Sequence, residues 1–166
     1  MEFLTVLFLI GITAEAMTGA LAAGRERMDL FGVVIVASVT AIGGGSIRDV
    51  LLGHYPLIWV ENPPYLALVV LAAVVTVVVA PIMRHFRVLF LGLDALGLTV
   101  FAIIGARIAL EMGHGLIIAV VAAVITGVFG GVMRDLLCDG VPLVFRQELY
   151  ARSAIPAALG FVGLTA

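Results

Sequence analysis

The sequence predicts an all-α integral membrane protein built from two inverted three-helix repeats. Of its 166 residues, 63% are hydrophobic and only 12% are charged, and the mean hydropathy is +1.26. A soluble domain is typically about half apolar and about a quarter charged. The apolar residues form long unbroken runs, unlike the alternating strands of a membrane β-barrel, and the second half of the chain repeats the first. These observations together predict the fold class.

The charged residues exclude other classes of protein. The net charge is −2, lysine is absent, and no basic run is present that could neutralise the phosphates of a nucleic acid. The chain contains no Ser/His/Asp set, phosphate-binding loop or zinc-ligand pattern. We therefore expect no enzyme activity, no cofactor and no nucleic-acid partner, and we expect membrane lipids around the helices.

Six apolar segments are candidates to cross the membrane, which takes about 20 helical residues. They are residues 3–23, 30–52, 65–83, 88–110, 115–137 and 153–166. The last segment is short for a full crossing. The first contains Ala14-Glu15-Ala16, which resembles a signal-peptide cleavage site, but no basic residue precedes Arg25 as a signal peptide requires. It is therefore predicted to be a retained helix.

The arginines predict how the chain is oriented. Three alternate loops, which lie on one side of the membrane, carry Arg25 and Arg27, Arg84 and Arg87, and Arg146 and Arg152. Short loops rich in arginine stay in the cytoplasm. These loops are therefore predicted to be cytoplasmic, with the N-terminus outside.

An internal repeat appears when the sequence is shifted by 86 positions. Gly44-Gly45 then meets Gly130-Gly131, Arg48-Asp49 meets Arg134-Asp135, and Pro56-Leu57 meets Pro142-Leu143. The predicted units are residues 1–86 and 87–166, with three spans each. Because three crossings reverse the direction of the chain, the second unit is inverted relative to the first. In transporters with this layout the functional site lies near the midplane, between the repeats.

Two glycine-rich segments, 43–49 and 130–135, form the strongest local motif. Glycine within a helix costs about 1 kcal/mol, so the second and fifth helices are expected to kink or break there. A break would expose backbone carbonyls that transiently bind K⁺ or Na⁺ near Gly43, Gly44 and Gly130. The alternative is that the glycines let two helices pack closely.

The motifs end in the pairs Arg48-Asp49 and Arg134-Asp135. Ionisable residues within a span are costly and usually face a watery interior. Neighbours on a helix point about 100° apart, so each pair is not expected to close on itself. Each arginine is expected to reach carbonyls or a carboxylate on a neighbouring helix. Such arginines either tune a pore electrostatically or extend to the interface and stabilise the fold.

Five further polar residues in the apolar spans are candidates for a functional role. Glu15 and Asp94 either attract cations to a vestibule or pair with Arg48 or Arg134. Thr40, Ser46 and Thr126 are candidates to line a polar path, although such hydroxyls often bond their own helix backbone.

The doubled motif resembles the prokaryotic trimeric intracellular cation (TRIC) channel family, also labelled UPF0126 or glycine transporter domain. The resemblance rests on residues 43–53 with Pro56 and residues 130–135 with Pro142. It implies a homotrimer in the plasma membrane, with a path for potassium, and also sodium, inside each subunit. In that family the second and fifth helices are kinked at the glycines and line the path. The alternative function is a secondary transporter of glycine or another small solute.

The chain departs from the family pattern in two ways. The family has seven spans, whereas six are predicted here, so the seventh is apparently missing. Phe129 replaces the first glycine of the second motif, so the fifth helix is expected to kink less than the second.

Overall fold

The computed structural model describes residues 2–83 and 87–146, and every regular element within these ranges is a helix. The helices are α1 (Glu2–Arg25), α2 (Leu30–Leu52), α3 (Ile58–Glu61), α4 (Pro63–Met83), α5 (Arg87–Glu111), α6 (Leu116–Leu137) and α7 (Leu143–Arg146).

Five of these helices are long and apolar enough to cross a membrane, namely α1, α2, α4, α5 and α6. The first five predicted spans agree with them to within two residues at each end. The chain is thus a multi-pass membrane protein. The sixth predicted span, 153–166, lies outside the described residues, as do Arg84 and Arg152. The predicted boundary at residue 86 lies there too, and it stays a prediction.

The ends of α2 show why this helix keeps its predicted limits. At the start, Asp29 caps the helix, and its carboxylate accepts a hydrogen bond from the Gly32 amide at 2.7 Å. At the end, Gly53 adopts a φ of 70°, a left-handed conformation that costs glycine little. These terminal signals fix the position of Arg48 and Asp49 near the end of α2.

Small residues bring the helices of the core close together. α1 packs on α2 and α5, while α6 packs on α2 and α5. Ala37 and Ala123 are fully buried, and a Cβ added at Gly19 would lie 2.7 Å from the Ala37 Cα. Without a hydrophobic driving force between helices in lipid, such close backbone contact is what holds a bundle together.

Candidate functional site

The two glycine motifs meet where α2 and α6 cross. A Cβ added at Gly44 would overlap the carbonyl oxygen of Thr126, and one added at Gly130 would overlap the carbonyl oxygen of Thr40. The residue numbers rise along one helix as they fall along the other, so α2 and α6 are antiparallel. The glycines therefore let two backbones touch at the centre of the fold.

This contact corrects part of the expectation for the glycines. α2 and α6 continue as α-helices through Gly43–Gly45 and Gly130–Gly131, so the described chain has no helix break there. The breaks are absent because the glycines serve packing, the alternative left open above. The expected cation contacts through carbonyls at Gly43, Gly44 and Gly130 therefore lose their basis in a broken helix. A kink at the glycines stays a prediction.

The glycines three residues before each arginine leave space for its side chain. A Cβ at Gly45 would lie 3.9 Å from Nη2 of Arg48, and one at Gly131 would lie 3.6 Å from Nη2 of Arg134. Side chains of a helix lean toward the preceding turn. Each arginine thus lies over its own glycine, buried within the bundle.

Arg48 pairs with its own neighbour. Its Nε and Nη2 donate to Oδ1 of Asp49 at 2.9 and 2.6 Å, and the two side chains are 3% and 0% exposed. The expectation that the Arg-Asp pair does not close on itself is wrong. The arginine side chain is long enough to turn back across the 100° between the residues, and an unpaired buried charge would be costly.

Arg134 combines a local pair with one between helices. Its Nε donates to Oδ1 of Asp135 at 2.8 Å, which again contradicts the expectation, and for the same reason. Its Nη1 also donates to the carboxylate of Asp94 in α5. The expected partner on a neighbouring helix is therefore present, and the pairing alternative for Asp94 is confirmed.

Glu15 lies beside this group and is connected to it through Thr18. The Thr18 hydroxyl donates to Oε2 of Glu15 at 3.3 Å, and Nη1 of Arg134 donates to the same hydroxyl at 3.3 Å. Thr18 therefore links the acid to the guanidinium. We define the Arg134 cavity by a lining that includes Glu15, Asp94, Gly131, Arg134 and Asp135.

A second cavity surrounds the other arginine. We define the Arg48 cavity by a lining that includes Phe8, Gly45, Arg48, Phe101 and Thr126. Its two aromatic rings lie side by side, with the centroids of Phe8 and Phe101 6.2 Å apart and the ring planes tilted by 49°. This cavity is thus apolar except at the guanidinium and the threonine hydroxyl.

The hydroxyl groups predicted to line a path also bond backbone. The Thr126 hydroxyl donates to the Ala122 carbonyl at 2.6 Å and accepts from Nη1 of Arg48 at 3.5 Å. The Ser46 hydroxyl donates to the Ile42 carbonyl at 2.8 Å and accepts from the indole of Trp59 at 3.1 Å. The interpretation of these hydroxyls as backbone-bonding groups is confirmed, and their role in lining a path stays a prediction.

The two aspartates of the motifs have different further partners. Oδ2 of Asp135 accepts from the Leu143 amide at 2.8 Å. Oδ2 of Asp49 is buried and has no hydrogen-bond partner in the described chain, while its Oδ1 lies 3.1 Å from Nδ1 of His54. His54 is 41% exposed and covers the carboxylate from the solvent side.

Sequence reasoning missed four residues of this region: Phe8, His54, Trp59 and Phe101. Aromatic residues in an apolar helix look like ordinary core or lipid-facing residues. The internal repeat was the available signal, because a shift of 86 positions aligns Phe8 with Asp94 and Glu15 with Phe101.

Known sequences resemble this chain over nearly its whole length. A family model described as "Glycine transporter" matches residues 5–81 and 91–166. The UPF0126 inner membrane protein YadS of Escherichia coli is 42% identical over 150 residues, covering 90% of this chain and 72% of that protein. The UPF0126 membrane protein YvgT of Bacillus subtilis is 41% identical over 162 residues, covering 96% and 79%.

Solved structures show the same fold. A crystal structure of the TRIC trimeric intracellular cation channel orthologue from Rhodobacter sphaeroides has a TM-score of 0.95 and 41% identity, covering 99% of this chain and 85% of that one. A structure from work on conductance through TRIC cation channels has a TM-score of 0.86 and 36% identity, covering 97% and 80%. Taken with the sequence matches, these likenesses show that the chain belongs to the glycine transporter (UPF0126) family, whose fold is that of the TRIC channels.

Proposed function

We propose that this protein is a monovalent cation channel for potassium, and also sodium, that works as a homotrimer with an ion path inside each subunit. The likeness to the Rhodobacter sphaeroides TRIC channel carries the proposal, because it extends over 99% of the chain at 41% identity. Buried ionisable groups beside cavities in membrane-spanning helices are typical of ion pathways.

The proposed path runs through the Arg48 cavity and the Arg134 cavity. Because α2 and α6 are antiparallel, the two arginines lie toward opposite sides of the membrane. The contacts at Gly44 and Gly130 lie between them. We interpret this arrangement as a closed conformation, in which α2 and α6 must separate before ions pass. The proposed lining comprises Gly43, Gly44, Gly45, Ser46, Arg48, Asp49, Thr126, Gly130, Gly131, Arg134 and Asp135.

Purified protein in planar bilayers should pass single-channel currents. Under a potassium chloride gradient, we expect the reversal potential to lie near the potassium value, because carboxylates along the path favour cations. Replacing potassium by sodium should preserve the current, and an impermeant organic cation should abolish it. Bilayers that stay silent, beside vesicles from the same preparation that accumulate solute, would contradict the channel proposal.

A secondary transporter is the second candidate, favoured by the description of the matching family model. It predicts saturable uptake of glycine or another amino acid into vesicles, driven by an ion gradient. Arg48→Gln or Arg134→Gln should then abolish uptake, because a buried guanidinium is the natural partner of a substrate carboxylate. A passive cation channel predicts instead that the vesicles show no saturable uptake of glycine.

We further propose that the protein lies in the plasma membrane with the α1–α2 loop and the α6–α7 loop in the cytoplasm. Cys138, the only cysteine, directly follows the last residue of α6. Its reactivity toward a thiol reagent therefore shows on which side of the membrane the α6–α7 loop lies. Burial raises the pKa of its thiol above the ordinary value, and nearby Glu26 raises it further. A raised pKa leaves less thiolate at neutral pH, so labelling should become faster as the pH rises.

A membrane-impermeant maleimide should therefore label Cys138 in inverted vesicles at mildly alkaline pH, and not in sealed right-side-out vesicles. The matched control combines Cys138→Ser with Gly115→Cys, at an exposed position before α6. It should give the opposite pattern. Labelling of Cys138 from the outside would reverse the proposed orientation.

A further inference from the structure

The Arg48 cavity and the Arg134 cavity are built from equivalent positions of the two repeats. A shift of 86 positions relates a series of lining residues: Ala41 to Gly127, Ile42 to Val128, Gly45 to Gly131, Arg48 to Arg134, and Ile58 to Val144. The walls formed by α2 and α6, and the short helices that follow them, are thus counterparts.

Two lining positions break this equivalence, and both exchange an aromatic ring for a carboxyl group. Phe8 of the Arg48 cavity corresponds to Asp94 of the Arg134 cavity. Phe101 of the Arg48 cavity corresponds to Glu15 of the other by the same shift. The differences therefore lie on α1 and α5, the helices opposite the two arginines.

The exchanged side chains lie against equivalent glycines. A Cβ at Gly11 would lie 3.1 Å from Cε1 of Phe101, and a Cβ at Gly97 would overlap Oε1 of Glu15. Gly11 and Gly97 are themselves related by the shift of 86. One backbone arrangement thus holds an aromatic ring in the first cavity and a carboxyl group in the second.

The charge in the two cavities consequently differs. Arg48 is matched by the single carboxylate of Asp49, whereas Arg134 is paired with both Asp94 and Asp135. Even with Glu15 as a neutral acid, the Arg134 cavity holds one more negative charge per guanidinium. Fixed charge at one end of a narrow path raises the local concentration of counter-ions there.

We infer that Glu15 and Asp94, set against Phe8 and Phe101, make the two halves of the ion path electrostatically unequal, so that the cation current rectifies. This inference rests on the proposed channel function. Current should be larger when cations enter through the Arg134 cavity, which in the proposed orientation is the cytoplasmic half. The Arg48 cavity offers arriving cations no excess negative charge, because Arg48 and Asp49 neutralise each other and most of its walls are apolar.

The test is the single-channel current–voltage curve in symmetrical potassium chloride. We expect the wild-type curve to be asymmetric, with a ratio of currents at equal and opposite voltages on the order of threefold. Asp94→Asn should move this ratio toward one, because it removes the extra negative charge from the favoured mouth. Phe101→Glu should move it the same way by adding one at the other mouth.

Two controls separate charge from packing. Glu111→Gln removes an exposed acid outside both cavities and should leave the ratio unchanged, and Phe101→Leu removes the ring without adding charge and should do the same. A linear wild-type curve, or ratios in Asp94→Asn and Phe101→Glu that equal the wild-type ratio, would overturn the inference while the channel function stands. A wild-type protein that passes no current would overturn both.

Discussion

Replacement of Arg134 by methionine is expected to destabilise the protein by about 3–5 kcal/mol, the usual cost of removing one partner from a buried ion pair. The side chain is 1% exposed and donates to carboxylates of both Asp94 and Asp135. Methionine fills similar space but donates no hydrogen bond. The variant therefore leaves two carboxylates without their shared cation inside the bundle.

The measurement is the temperature at which purified protein in detergent loses its monodisperse elution profile. Arg48→Met is the matched control, since it removes the equivalent residue of the first repeat. It should cost less, because it leaves only Asp49, whose Oδ1 also lies 3.1 Å from His54. We expect a clearly larger drop for Arg134→Met than for Arg48→Met.

A second substitution distinguishes charge from packing. Asp94→Asn, combined with Arg134→Met, removes one of the stranded carboxylates and should restore part of the lost stability. Non-additivity of this kind is expected for residues in direct contact. Equal melting temperatures for the two arginine variants would show that Arg134 does not hold the acids together. A double variant that is no more stable than Arg134→Met alone would show the same.

The contrast between the two arginines shows what the sequence could and could not predict. Apolar runs place five helices correctly, because lipid requires long helical segments irrespective of detail. The shift of 86 positions also makes Arg48 and Arg134 equivalent. Their different partners depend on α1 and α5, whose acids and aromatic rings no local motif connects to the arginines.

Two errors have different physical origins. The closure of each Arg-Asp pair was missed because helix geometry describes Cβ directions, whereas a long side chain can curl back over a glycine such as Gly45 or Gly131. The helix breaks were predicted from glycine propensity, which tertiary contact overrides at Gly44 and Gly130. The decisive contact is thus local in the first case and lies between two helices in the second.

Gly130→Ala is expected to be the second large change, and it tests the helix crossing directly. The added methyl group would overlap the carbonyl oxygen of Thr40, a backbone atom that cannot rotate away. Overpacking of this kind costs about 1–3 kcal/mol, more than the about 1 kcal/mol that alanine gains over glycine in helix propensity. The net effect should be a lower melting temperature.

The same methyl group should favour the proposed open conformation, because it forces α2 and α6 apart where they block the path. We therefore expect Gly130→Ala channels to stay open for a larger fraction of the time than wild-type channels under the same voltage. Gly92→Ala is the matched control, since a Cβ there meets no atom within 4 Å. It should keep or slightly raise the melting temperature and leave the open fraction unchanged. If Gly130→Ala melts and conducts as Gly92→Ala does, the α2–α6 contact is neither tight nor the barrier to ion flow.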